Sequence, residues 1–160
     1  MKKHLRKISV IVFGTFVLSA LAASPSHAGL FGSNSDTKKN VAAIRKLAVT
    51  ETSLLKRYGA VTGKNYKDDT TTMNALIGLI PDINSFIDKF DALAPQDKKL
   101  QAAINLEIDG WNKQEEAMTL AIGAIQDQDY SKMAQSNAVL AKGRAILKKA
   151  ATAFAPYFKM

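Results

Sequence analysis

The stretch Leu100–Ile125, LQAAINLEIDGWNKQEEAMTLAIGAI, decides how the chain folds. Leu100, Ile104, Ile108, Trp111, Met118, Ile122 and Ile125 are spaced by three, four or seven residues, which places them on one face of a long α-helix. Acid interrupts the apolar face: Glu107 falls inside the stripe and Glu115 lies near its edge. A stripe of this length is stable only when other helices cover it.

Working outward, the chain supplies three such partners. Upstream, Asp68, Asp69 or Thr70 is placed to cap a helix that carries Met73, Leu76, Ile77, Ile80, Ile83, Ile87 and Phe90 on one stripe. Pro81 lies inside it, yet the stripe keeps its phase across the proline, so the pattern predicts one kinked helix. Ala94-Pro95 closes it, with Pro95 suited to the first turn of the next helix and Asp97 near that helix's positive end.

Further upstream, Ser35 or Asp36 opens a helix running to about Val61. Val41, Ile44, Leu47, Ala48, Leu54, Leu55 and Tyr58 share one side of it, and Glu51 projects near the middle of that side. Gly63 is expected as a left-handed stop.

Downstream, Gln126 to Asp129 forms a polar turn into a last helix from about Tyr130 to Phe158. Its stripe holds Tyr130, Met133, Leu140, Leu147, Ala151, Phe154 and Phe158, with Asn137 and Arg144 among them. Pro156 loosens only its final turn.

Four amphipathic helices, at about 36–61, 70–94, 96–126 and 129–158, with short turns predict an all-α, antiparallel up-down-up-down four-helix bundle about 40 Å long. Phe86, Phe90, Phe154, Tyr157 and Phe158 are expected as core near one end, and Trp111 as core in the stripe. Leu106, Leu120, Val139 and Ile146 lie off the stripes and are expected to form an association face.

The first 28 residues read differently. Lys2, Lys3, Arg6 and Lys7 precede an apolar run from Ile8 to Ala23, and Ser26-His27-Ala28 supplies small residues at a cleavage site. That is the pattern of a secretory signal peptide. The run is short for a spanning helix, so the mature protein is not expected to cross a membrane. Cleavage after Ala28 leaves 132 of the 160 residues, with Ala22 the alternative site and residues 29–35 a flexible Gly/Ser/Asn lead-in. A secreted product is expected, extracellular or periplasmic according to the source.

Charge and composition exclude several classes. Four of the 22 basic residues and none of the 14 acidic ones lie in the signal peptide, so the remainder balances 18 against 14, or +4. That mild excess is no nucleic-acid-binding signature. The chain has no cysteine, so an exported domain of this size is expected to rely on its core rather than on disulfides, and cysteine-linked lipidation is ruled out. Both histidines, His4 and His27, lie in the signal peptide. His- or Cys-based metal, haem and triad chemistry is therefore not expected, and no cofactor is called for.

Two polar features remain. Reflecting the bundle about turns near residues 66, 95 and 128 brings Glu51, Glu107 and Arg144 to nearly one layer. Such a layer either pairs its charges to fix register, or holds a hard cation or small ligand. The last helix and its tail carry Lys132, Lys142, Arg144, Lys148, Lys149 and Lys159 without an acid, and Lys132, Lys142, Lys148 and Lys149 are candidate contacts to an anionic surface.

From Ala103-Ile104-Asn105-Leu106-Glu107 through Ala145-Ile146-Leu147, the C-terminal part resembles small exported helical proteins and lipoproteins of Gram-positive bacteria. Glu107, Asp127, Tyr130, Leu140 and Gly143 carry the likeness. The resemblance implies an exported helical bundle, and the missing cysteine departs from its lipoprotein members. The expected function is non-enzymatic binding of a cell-envelope component or a protein partner, with cation or small-ligand binding at the Glu51/Glu107/Arg144 layer as the alternative.

Overall fold

The computed structural model describes residues 35–158, and over that span the chain is all-helical. Helix α1 covers Ser35–Gly59, α2 Asp69–Asp91, α3 Lys98–Asp127 and α4 Tyr130–Phe158, with a 3₁₀ turn at Gly63–Asn65 between α1 and α2. Residues 1–28, expected to be a signal peptide, residues 29–34 of the expected lead-in, and Lys159 lie outside the described residues.

Aspartates open three of the helices, because a short carboxylate can take the backbone N–H groups that a first turn leaves unbonded. Asp68 accepts from Thr71 at 2.7 Å, Asp97 from Lys99 and Leu100 at 2.8 and 3.1 Å, and Asp129 from Ser131 and Lys132 at 2.8 and 3.1 Å. Pro95, expected in the first turn of α3, instead precedes the helix as a buried residue, since the cap falls on Asp97. Ser35, expected in the lead-in, is already helical. Helix α2 runs unbroken through Pro81; α1 ends at Gly59, so Gly63, at φ 61°, opens the 3₁₀ turn and does not stop the helix, and Gln128 closes α3 at φ 54°.

The most extensive interface joins α3 and α4, and α1 is the least engaged helix. Small residues let α3 and α4 approach closely. A Cβ placed on Gly110 would lie 2.5 Å from Leu147 Cγ, and one on Gly143 would lie 3.1 Å from the Gly110 carbonyl oxygen. Ser136 Oγ donates to the Ala117 carbonyl at 2.7 Å, and Tyr157 Oη to Asp97 at 3.0 Å. The contacts descend α4 as they climb α3.

Helix α1 meets α2 where Arg57 pairs with Asp82, and meets α4 where the Arg45 guanidinium stands 5.7 Å over the Phe158 ring. The aromatic residues form a connected series: Trp111–Phe86 at 5.1 Å, Phe86–Phe90 at 5.0 Å, Phe90–Phe154 at 6.5 Å and Phe154–Phe158 at 6.2 Å between ring centres.

Two stripe positions differ from expectation. Ile77 is 47% exposed and Tyr130 62% exposed. The buried line of α2 runs through Thr72, Leu76, Leu79, Ile83, Phe86 and Phe90, so Leu79 takes the core position and Ile77, roughly 100° beyond Leu76, turns outward. Tyr130 stands at the polar turn that starts α4, where no helix covers it. Leu106, Leu120, Val139 and Ile146 are half-buried rather than exposed, so they make no open association face.

Candidate functional site

Two features stand apart from ordinary packing: a carboxyl pair in the interior and an uneven distribution of charge over the surface. The interior pair comes from α1 and α3. Glu51 lies in the buried line Ile44, Ala48, Glu51, Tyr58, and Glu107 lies between Ile104 and Trp111; each is 1% exposed.

The indole N–H of Trp111, one turn along α3, donates to Glu107 Oε1 at 3.0 Å, while Glu51 Oε2 has no hydrogen-bond partner. Burial pushes the Glu51 carboxyl up to about 7. Burial also raises Glu107 well above the ordinary carboxylate value, the nearby Glu51 charge raises it further, and the Trp111 hydrogen bond pulls it partly back. Two carboxyls so placed lose their protons one after the other.

Arg144 is half-buried, and its electrostatic neighbour is Tyr58. Burial lowers the guanidinium's affinity for its proton while Tyr58 opposes the shift. Burial lifts Tyr58 to about 12, with Arg144 pulling the other way. The layer expected from the sequence thus resolves into a Glu51–Glu107 pair and an Arg144–Tyr58 pair. Register explains the separation: Gly110 against Leu147 and Gly143 against Gln114 set Arg144 level with about Lys113, more than one turn along α3 from Glu107.

Gln114 is a further interior polar residue that the stripe pattern passed over. It is fully buried and neither amide atom has a hydrogen-bond partner. Its place seven residues beyond Glu107 puts it on the same face of α3, and that spacing was the available signal. Among the described residues no group of three or more His, Cys, Asp or Glu is gathered to hold a metal ion. A cavity of about 20 Å³ lies elsewhere, between Tyr58, Tyr66, Leu76, Ile125, Met133 and Asn137, with room for about one water.

The charges divide by helix. Helices α1 and α4 carry eleven Lys or Arg against two acids, Asp36 and the buried Glu51. Helices α2 and α3 carry nine acids against four lysines.

Of the four lysines singled out from the sequence, Lys142, Lys148 and Lys149 are exposed. Lys132 is half-buried, packs over Gly123 and pairs with Asp127 at 2.9 Å, which ties it to α3. By helix phase, Lys38 and Lys56 share the flank of α1 on which Arg45 reaches Phe158 of α4. The tertiary fold therefore sets basic residues of α1 alongside those of α4, an arrangement that neither helix's sequence contains by itself.

The fold and these features define an all-helical protein with an interior carboxyl pair and one strongly basic side. No family model, curated protein or solved structure matches the chain. Among the described residues, no helix is long and apolar enough to cross a membrane.

Proposed function

We propose that this chain is an exported, antiparallel up-down-up-down four-helix bundle that acts by binding, and that its ligand is an anionic, phosphate-bearing polymer of the cell envelope. The observation that carries the reading is the segregation of charge. The side built from α1 and α4 is strongly basic while the side built from α2 and α3 is acidic. A basic face of this kind concentrates a polyanion at the surface, and the acidic face keeps the polymer from wrapping the whole molecule. Binding rather than catalysis fits a chain whose described portion contains neither histidine nor cysteine. The basic segment and apolar run at the N-terminus support export.

Exposed Lys142, Lys148 and Lys149 are the contacts assigned to α4, joined by Lys56 and Arg45 of α1. The test is retention of the purified protein on immobilised polyol-phosphate wall polymer over a salt series. Retention at low salt that disappears as salt screens the charges is the expected result. Absence of retention at low salt, or retention that salt leaves untouched, overturns the proposal.

A further inference from the structure

Glu51 and Glu107 enclose charge in a part of the molecule that has little to compensate it. The Glu51 oxygen Oε2 is buried without a partner, and the hydrogen bond recorded for Glu107 is the one from Trp111. The inward residues of α2 at this level, Phe86 and Phe90, are apolar, and Phe86 packs edge-on against Trp111. Among the described residues the other charged or titratable groups that α1 and α4 hold at buried or half-buried positions are engaged elsewhere: Tyr58 and Arg144 act on each other, Arg45 stands over Phe158, Tyr157 donates to Asp97, Lys132 pairs with Asp127, and Asp36 accepts from Gln96 N–H. Two ionised carboxylates are therefore not tolerated in the closed interior; one of them must be protonated or must reach water.

The two carboxyls sit on helices of unequal hold. Helix α3 shares its long interface with α4, whereas α1 is the least engaged of the four. We propose that α1 is a proton-held latch: it stays docked while the Glu51–Glu107 pair retains a proton, and lifts from the other three helices, giving up its main interface with α2, when both carboxyls ionise. Lifting α1 hydrates Glu51 and leaves the α3/α4 interface intact, so it costs less than opening the whole molecule. Because α1 carries both Glu51 and the basic flank residues, a ligand spanning α1 and α4 would favour the docked state; the measurement below uses the chain without ligand, so its outcome stands apart from the binding reading.

Hydrogen exchange of the full chain at pH 6 and pH 9, each normalised to the intrinsic exchange rate at that pH, reads the latch directly. Amides of α1 are expected to lose protection by ~10-fold or more, the scale of one pKa unit, while amides of α3 and α4 keep theirs. In E51Q the α1 loss is expected to vanish. Trp111 is the single tryptophan of the chain, and its indole bonds Glu107, so its emission should shift over the same pH range in the native chain. Equal loss of protection in all four helices, no loss in α1, or an undiminished α1 loss in E51Q overturns the proposal. Should E51Q fail to fold, the comparison of α1 with α3 and α4 in the native chain decides by itself.

Discussion

Glu51 bears on stability because its Oε2 is buried without a hydrogen-bond partner. Its folded-state value of about 7 stands above the unfolded value of 4.5, so the native state binds this proton more tightly than the unfolded chain does. Stability from this group is full below pH 4.5, declines as pH rises to about 7, and stays low above that. At pH 8 the shift corresponds to about 3 kcal/mol. Glu51→Gln removes the titration while keeping shape, so its melting temperature should exceed that of the native chain at pH 8 and match it near pH 5. A melting series from pH 4.5 to 9 checks this; parallel curves for the two proteins would contradict it.

Asp97 presents the opposite case. Burial pushes its carboxyl up, but N–H groups of Leu100 and Lys99 and the Tyr157 hydroxyl outweigh burial and hold it below the usual range. It caps α3 and ties down the end of α4 at once. Tyr157→Phe removes one bond and should cost about 1 kcal/mol, and Asp97→Ala should cost more, about 2 kcal/mol. Denaturant titration distinguishes the two, and equal costs would mean that the cap contributes nothing beyond the Tyr157 bond.

Among the elements, the glycines report where helices touch. Gly110 and Gly143 sit where α3 and α4 meet, and a methyl group at Gly110 would collide with Leu147. Gly78 lies on the exposed side of α2, where a Cβ meets nothing within 4 Å. Gly110→Ala should therefore destabilise by about 1–3 kcal/mol through overpacking. Gly78→Ala should stabilise by about 0.5–1 kcal/mol by restricting the unfolded chain. Thermal unfolding of both variants gives the two signs; a stabilising Gly110→Ala would mean that the helices have room to part.

The elements were largely legible in the sequence, since apolar residues at helical spacing and aspartates at helix starts are local signals. Where the reading failed, the cause was phase. Ile77 is as apolar as Leu79, and only the neighbouring helices decide which of them faces inward.

For the molecule as a whole, charge placement sets behaviour in solution. The triple variant Lys142→Glu, Lys148→Glu and Lys149→Glu reverses charges at exposed positions of α4. It should keep native helicity by circular dichroism and lose retention on polyol-phosphate polymer. Asp88→Lys with Asp91→Lys, on exposed positions of the acidic side, should leave retention in place. Loss in both variants, or in neither, would separate binding from the basic face.

The sequence by itself determined four helices, a short list of caps for α2 that included Asp68, the lack of His and Cys residues beyond residue 28, and a polar interruption at Glu51 and Glu107. These follow from properties of single segments, which periodicity and composition record. Only the tertiary structure decided that Arg144 turns to Tyr58 and away from the Glu51–Glu107 pair, that Gln114 is sealed in, and that the basic flank of α1 lies beside α4. Those outcomes depend on the axial register and rotation of one helix against another. A shift of a single turn exchanges the partner of a buried charge and leaves every helix's own periodicity unchanged. Glu107 thus passes from a break in an apolar stripe to one half of an interior carboxyl pair.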